Sequence, residues 1–530
     1  MSSFLSYRKQ ILLMIIVLLF SLNSVFFINL LDPIYFYVLT DFYKESVMGC
    51  FSLFIGHIWR LATLDNLLVF RFGSWLLSLA AFFLPYFVLI HSKERKDNLG
   101  YLIIGLVFFL INLKFYTFFS FDIMTLICLV AIGCFILKRR CVTIEDAMYL
   151  GSLSAVATAS RFPNILIIPL LCVYLLLYNY VKKRGWRNAL LLSSLYLCVS
   201  LILYYCIVVV LTGNFDVFSM IKDSMSNTSS DSRHNISSLV SNYIDVAIKH
   251  GLLLLLLIIV GYGLTRTKLN FNNIHWSLRL FVVCSLFVVM LLFGKDQMPA
   301  FLIIVLFLII IYRECFVRNR IKKWSELIKY VVLLLMGLIG AAGSDTGFLK
   351  AAPYYICFSP IVLIYFDHEI RTKRFCKELL SVFVIFSIYN SFFRVVYFEE
   401  GSHTPIYHFC HYYENSHVTS FVSESWLERF HEIESTMNLY MVKDHTHVYG
   451  DSYLAFLISG EKQIDYLDFW QYSNNKSQIN KVMNAVARDK HAVLIDFSKS
   501  NDLEKIAKDE GMIILVSNNA NVYNHNDNSK

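Results

Sequence analysis

Long runs in which nearly every position is apolar alternate along the chain with short polar segments. "ILLMIIVLLFSLNSVFFINLL", "LLLLLLIIVGYGL" and "YVVLLLMGLIGAAG" are examples. No ordinary soluble core needs so much apolar surface, and runs of about 18 or more such residues read as membrane spans. The pattern predicts helices near 11–31, 66–90, 99–116, 120–137, 146–160, 163–181, 189–212, 249–264, 278–293, 298–312, 329–343, 353–366 and 379–398. That makes about 13 transmembrane helices. Two segments, 146–160 and 298–312, fall short of a full bilayer crossing and predict half-helices or tilted pairs meeting at a cavity. The first run follows Arg8 and Lys9 as a signal peptide would, yet it lacks a small-x-small cleavage site and precedes many further spans. It reads as a retained first helix.

Charge in the polar segments gives an independent test. Arg8 and Lys9, "HSKERK", Lys138 to Arg140, "KKRGWR", Arg266 and Lys268, "RECFVRNRIKKW" and "RTKRFCK" occupy alternate connections, and the intervening ones hold scattered acids and few bases. The positive-inside rule then puts the N-terminus in the cytoplasm, and an odd number of spans sends the C-terminus outside. The 530-residue chain is 57% hydrophobic and 16% charged, with a net charge of +8 that these clusters largely supply. No nucleic-acid partner is needed to explain it. The outer face receives loops at about 32–65 and 213–249 and a tail, 399–530, that is too polar to be a span. "THVYGDSYLAFLIS", "HAVLIDFS" and "MIILVSNNANVY" read as strand-centred units there, with "KSQINKVMNAVARD" and "SNDLEKIAKDEG" as helices. The predicted fold is an α-helical polytopic membrane protein, residues 1–398, with a C-terminal exoplasmic α/β domain, residues 399–530.

Twelve cysteines lie mostly within spans without a C-x-x-C pair, as buried thiols acting as small hydrophobes do. Cys50 and Cys410 are the two near the outer face, and spacing gives no ground for pairing them. No P-loop, G-x-G-x-x-G, zinc-type cluster, G-x-S-x-G elbow or internal repeat appears, which argues against an ATP-driven pump and a soluble-type hydrolase. What remains is a set of charges at the outer span ends. In "VATASRFPNILIIPLL", Arg161 stands between two apolar runs and is followed by Pro163. It either snorkels to lipid headgroups or faces a cavity and grips a phosphate, for which a planar guanidinium is suited. In "NLLDPIYFYVLTDFY", Asp32 follows the first span and Asp41 lies in an aromatic amphipathic segment. Asp32 is either a helix cap or a general base at a cavity mouth. Asp122, in "YTFFSFDIMTL", carries the same two readings at the start of a later span. Lys350, in "AAGSDTGFLKAAP", is a second possible phosphate contact beside a glycine-rich turn, and His57 is either structural or part of the same cavity. No ligand set of suitable spacing supports a metal, so no cofactor is expected beyond a possible divalent cation.

These stretches resemble a family. "LLDPIYFYVLTDFY" for an acidic first outer loop, "FIGHIWRL" for a histidine-containing stretch, "LLVFRFGSWLL" for the second span, "FSFDIMTL" for the fourth and "SRFPNILIIP" for an arginine motif look like the GT-C glycosyltransferases, in the branch of protein mannosyltransferases and aminoarabinose transferases. The motifs cover roughly the first 180 residues, and the rest resembles the family by architecture. Asp32 is followed by Pro33 where many members carry a second acid, and "GHIWRL" lacks the family's prolines. The resemblance implies transfer of a sugar from a polyprenyl-phosphate donor to a glycan, lipid or protein acceptor at the outer face of a bacterial inner membrane. It gives catalytic roles to Asp32, Asp41 and Asp122, donor-phosphate contacts to Arg161, Arg71 and Lys350, and a place in the cavity to His57. A transporter or flippase of a lipid-linked sugar is the competing class, with inverted repeats as the feature that would favour it. A polymerase or ligase of O-antigen type would centre on a large outer loop with several arginines, where "MIKDSMSNTSSDSRHN" offers Lys222 and Arg233.

Overall fold

The structure is a computed structural model. It describes residues 7–26, 37–63 apart from 45, 46 and 48, 66–113, 120–139, 141–182, 185–222, 236–266, 276–293, 296–314, 324–342, 348–393, 405–441 apart from 409, 416 and 417, and 445–459 apart from 451. It also describes the later strands within 465–466, 493–499, 512–516 and 520–525, and isolated positions between 501 and 508.

Helices follow the apolar runs closely. They are α1 (Tyr7–Ser21), α2 (Cys50–Ala62), α3 (Leu67–Leu89), α4 (Arg95–Leu113), α5 (Phe121–Lys138), α6 (Ile144–Ser160), α7 (Ile167–Val181), α8 (Trp186–Thr212), α9 (Ile236–Arg266), α10 (Trp276–Phe293), α11 (Met298–Tyr312), α12 (Trp324–Gly340), α13 (Phe348–Cys357), α14 (Ser359–Tyr365), α15 (Asp367–Thr372) and α16 (Arg374–Phe393). Local chemistry sets several ends. Asn66 caps α3 by accepting the Val69 N–H at 3.2 Å. Thr143 and Asp146 form a capping box at α6, and Gly213, at φ 71°, closes α8 in a conformation that only glycine adopts freely. Helices suit the setting because every backbone bond closes within the segment.

Among the described residues, seven helices are long and apolar enough to cross a membrane unaided, and a bent pair, Val283–Phe293 with Met298–Tyr312, makes an eighth if it counts as one span. The chain is an integral membrane protein. The remaining predicted spans are helical as well but fail that test, several of them for visible reasons. α6 has 17 residues and α11 has 15. α13 and α14 are two short helices that meet at Phe358. One boundary differs more: α9 begins at Ile236, so the last third of the outer loop expected at 213–249 is helix.

Contacts sort the helix ends into two sets. At one end Lys96 lies over the Tyr7 ring, Tyr101 donates to Asp367 at 2.6 Å, Arg313 pairs with Glu369 at 2.6 Å and Lys329 donates to the Arg139 carbonyl at 2.8 Å. These are the ends that carry the basic clusters. At the other end the C-terminal region packs on the bundle. Its first part is a hairpin, β1 (His411–Glu414) with β2 (Thr419–Val422), followed by α17 (Glu424–Tyr440). A mixed sheet follows, from β3 (Thr446–Tyr449), β4 (Asp465–Tyr466), β5 (Val493–Asp496), β6 (Met512–Val516) and β7 (Asn521–His525), with α18 (Ser452–Ser459) after β3. The strand order is β4-β3-β5-β7-β6, parallel across β4, β3 and β5 and antiparallel beyond. "THVYGDSYLAFLIS" is therefore a strand followed by a helix. "KSQINKVMNAVARD" and most of "SNDLEKIAKDEG" lie outside the described residues. One hydrophobic cluster joins Tyr37, Leu39, Leu53 and Phe70 to Val422, Trp426, Val448 and Ile495, and Ser420 donates to the Phe26 carbonyl at 3.0 Å. The α/β region thus covers the bundle end where α3 and α5 begin.

Candidate active site

α5 opens beside Asp122, and its cap is Ser120, whose Oγ accepts the Asp122 N–H at 3.2 Å. The capping role offered to Asp122 belongs to its neighbour. Its carboxylate sits in the first helical turn, where the helix dipole favours an anion, and is available to other groups. α6 ends at Arg161, in extended backbone, and the turn Phe162–Leu166 follows with Pro163 at its start. Proline cannot continue a helix but suits a first turn, so the chain breaks here. Buried Asn164 fixes the break, donating to Thr125 Oγ1 and to the Ala157 carbonyl, both at 2.8 Å.

The break turns Arg161 inward. The residue is 6% exposed, its Nε lies 3.6 Å from Asp122 Oδ1, and its Nη1 donates to the Gly340 carbonyl at the end of α12. A snorkelling side chain would instead reach away from the bundle. From α13, Lys350 places Nζ 2.9 Å from Asp122 Oδ2. One carboxylate now faces two cations. A narrow cleft opens beside it, lined by Asp122, Thr125, Leu126, Gly340, Lys350 and Tyr354, with Arg161 reaching it through Asp122. It is polar at the charged end and apolar along α5.

Asp41 belongs to a second cluster on the same face. It lies in a helical turn, Thr40–Phe42, with Oδ2 3.0 Å from Arg60 Nη1 and Oδ1 3.2 Å from His57 Nδ1. Arg60 also donates to the Tyr37 carbonyl at 3.0 Å and stacks its guanidinium 4.2 Å from the centre of the Tyr37 ring. The sequence reading took His57 from "GHIWRL" and missed Arg60. The signal was there, because His57 and Arg60 are three residues apart and so share one face of α2. The two clusters adjoin. Ser52 donates to the Ser160 carbonyl at 3.2 Å, and a Cβ at Gly49 would run into the ring of Phe121. Glycine is what lets the first outer loop pass over the start of α5.

One expected contact lies elsewhere. Arg71 is fully buried on α3, where Nη2 donates to the Ser24 carbonyl at 2.5 Å, and it does not line the cleft. Asp32 lies outside the described residues. Among the described residues, no three or more His, Cys, Asp or Glu side chains group closely enough to hold a metal ion. Cys50 and Cys410 are separate free thiols, the first buried and the second exposed.

No protein-family model matches the chain, and no curated protein matches it. Solved structures do. The chain is similar to the archaeal oligosaccharyltransferase AglB from Archaeoglobus fulgidus in complex with an inhibitory peptide and a dolichol-phosphate, at 12% identity and a TM-score of 0.47, over 99% of this chain and 75% of that one. It is similar also to an Archaeoglobus fulgidus oligosaccharyltransferase tethered to an acceptor peptide through a disulfide bond, at 12% identity and a TM-score of 0.45 over 93% and 70% of the two chains. The apo form of that enzyme gives 13% identity and a TM-score of 0.45 over the same shares.

Proposed function

We propose that the chain is a membrane glycosyltransferase that moves a sugar from a polyprenyl-phosphate donor to an acceptor at the bundle end where Asp122, Arg161 and Lys350 meet. The meeting of Arg161 and Lys350, from separate helices, on one carboxylate beside a cleft carries the reading, with Arg161 and Asp122 largely shielded from bulk solvent. In such surroundings an anion is held more strongly than in water, and a lipid phosphate supplies both the anion and an apolar tail. The α/β region packed over the same end gives an acceptor a place to approach from water. The basic clusters gather at the opposite end, which supports an outer location for the site.

In this mechanism an acceptor hydroxyl or amine attacks the anomeric carbon, the bond from that carbon to the phosphate oxygen breaks, and the acceptor proton passes to a carboxylate. Direct displacement inverts the anomeric centre. Arg161 and Lys350 stabilise the charge that returns to the leaving phosphate, and Asp122 fixes the two cations relative to one another. Asp32 keeps the base role that the family resemblance gives it. Asp41 is a weaker candidate because Arg60 and His57 already engage its two oxygens.

The test is donor-dependent transfer in reconstituted liposomes at matched protein levels. Arg161→Lys replaces a planar fork by a point charge and is expected to slow transfer about tenfold, with Arg161→Ala slower again by about 2 kcal/mol of barrier. Equal rates for Arg and Lys, with Ala only slightly slower, would remove the phosphate role.

A further inference from the structure

Among the described residues, the three most exposed large apolar side chains are Phe218 at 84%, Val210 at 79% and Phe215 at 77%. All lie within nine consecutive residues at the end of α8. Gly213 ends that helix and turns the chain. Asp216 then starts a new helical segment over 217–222, its Oδ1 accepting the Ser219 N–H at 3.0 Å. Residues 218 and 222 fall on one face of this segment, and 217 and 221 fall on the other. The second face is packed. Val217 is buried in a cluster with Val47, Cys50, Ala155, Ala159 and Tyr204, and Ile221 packs against it. The first face presents Phe218 and Lys222 outward, beside Phe215.

Tyr205 gives this face its level. Its hydroxyl donates to the Phe215 carbonyl at 3.1 Å, so the chain after Gly213 folds back beside the final turns of α8. That flank of α8 exposes Ile202 at 60% and Tyr205 at 42%, as a lipid-facing helix does. Phe215 and Phe218 therefore continue the exposed apolar surface of α8, with Lys222 exposed on the same face of the segment. We infer that the segment 214–222 is a lipid-surface anchor, with Phe215 and Phe218 inserted at the headgroup boundary and Lys222 against lipid phosphate. Through Val217 and Ala159 the anchor is tied to the end of α6, the helix that delivers Arg161. It fixes the depth of that helix end relative to the leaflet. The inference rests on the membrane character of the chain and stands whether or not the cluster transfers a sugar.

The test places a photoreactive p-benzoylphenylalanine at Phe215 or Phe218 of the full chain, reconstituted in liposomes of phosphatidylethanolamine and phosphatidylglycerol. Neither side chain is packed, so both variants keep the fold. Equivalent probes at Tyr407 and Leu439, exposed positions in the C-terminal region, serve as references. After irradiation, intact-mass spectra are expected to hold about fivefold more single-phospholipid adduct at 215 and 218 than at the references, as insertion at the headgroup boundary requires. Adduct yields no higher than the references, or crosslinks that join two copies of the chain, would overturn the anchor.

Discussion

Two clusters on one face of the bundle share a formula, a carboxylate with two basic side chains, and differ in how they are assembled. Asp41, His57 and Arg60 come from one stretch of 20 residues. Their ion pairs close a loop on itself, since Arg60 also holds the Tyr37 carbonyl and the Tyr37 ring. Asp122, Arg161 and Lys350 come from three elements far apart in sequence, α5, the end of α6 and α13. Their pairing is possible only once the bundle has formed, and it borders a cleft. The local cluster has the character of a clasp. The distant one holds charge together at a place that no single segment could build, as a binding site requires. Under the proposed function the contrast gives chemistry to one cluster and stability to the other, and substitutions can separate the two.

Asp122→Asn gives the largest expected effect. The amide keeps the shape, but Arg161 and Lys350 are left as neighbouring cations with no anion between them. Folding stability is expected to fall by about 2 kcal/mol, less than for a wholly buried pair because Lys350 is partly exposed. Transfer is expected to fall about a hundredfold, since a small displacement of groups around a reacting centre has effects of that size. Thermal melting in detergent and donor-dependent transfer in liposomes report the two separately. Transfer and melting both at the level of the unsubstituted chain would abolish the distinction between the clusters.

Arg60→Gln is the complementary change, with the larger effect on stability. It leaves the Asp41 carboxylate without its guanidinium in a poorly hydrated place and removes the stacking on Tyr37. About 3 kcal/mol of folding stability is expected to go. Transfer per folded molecule should stay within about threefold of the original, because Arg60 acts through the loop and touches no substrate in this reading. A large loss of transfer at an unchanged melting temperature would bring the clasp into the chemistry.

The hydrophobic pattern told the helices apart well because a bilayer demands long apolar runs. α3, α6 and α8 begin and end within a few residues of the predicted limits. It told less where water takes over. Residues 236–248 mix Ser, Asn and Asp with apolar positions and read as loop, yet they extend α9. The hairpin 411–422 and α17 left no comparable mark, because short half-buried elements give weak periodicity. At the site, composition pointed to Asp122, Arg161 and Lys350 as separate candidates. Their pairing was not legible, since nothing local to "FSFDIMTL", "SRFPN" or "GFLKAA" states which helix ends meet. Ser120 shows the opposite case. It was in plain view two residues before Asp122, and the attention given to the acid hid the better cap.

The smallest expected effect sharpens the comparison from inside the clasp. His57 reaches Asp41 Oδ1 at 3.2 Å, but its side chain is 24% exposed and Arg60 holds the other oxygen of the same carboxylate. Water can replace much of what it contributes. His57→Gln keeps a hydrogen-bonding side chain on the same face of α2 and is expected to lower folding stability by less than about 1 kcal/mol, the scale of a partly exposed pair. Transfer should remain within about twofold of the original, by the same scale. In the double substitution with Arg60→Gln the losses should exceed their sum, because each partner compensates for the other at one carboxylate. Additive losses would mean that Asp41 does not couple them, and a large loss of transfer from His57→Gln alone would give the histidine a part in the reaction that its geometry in the clasp does not predict.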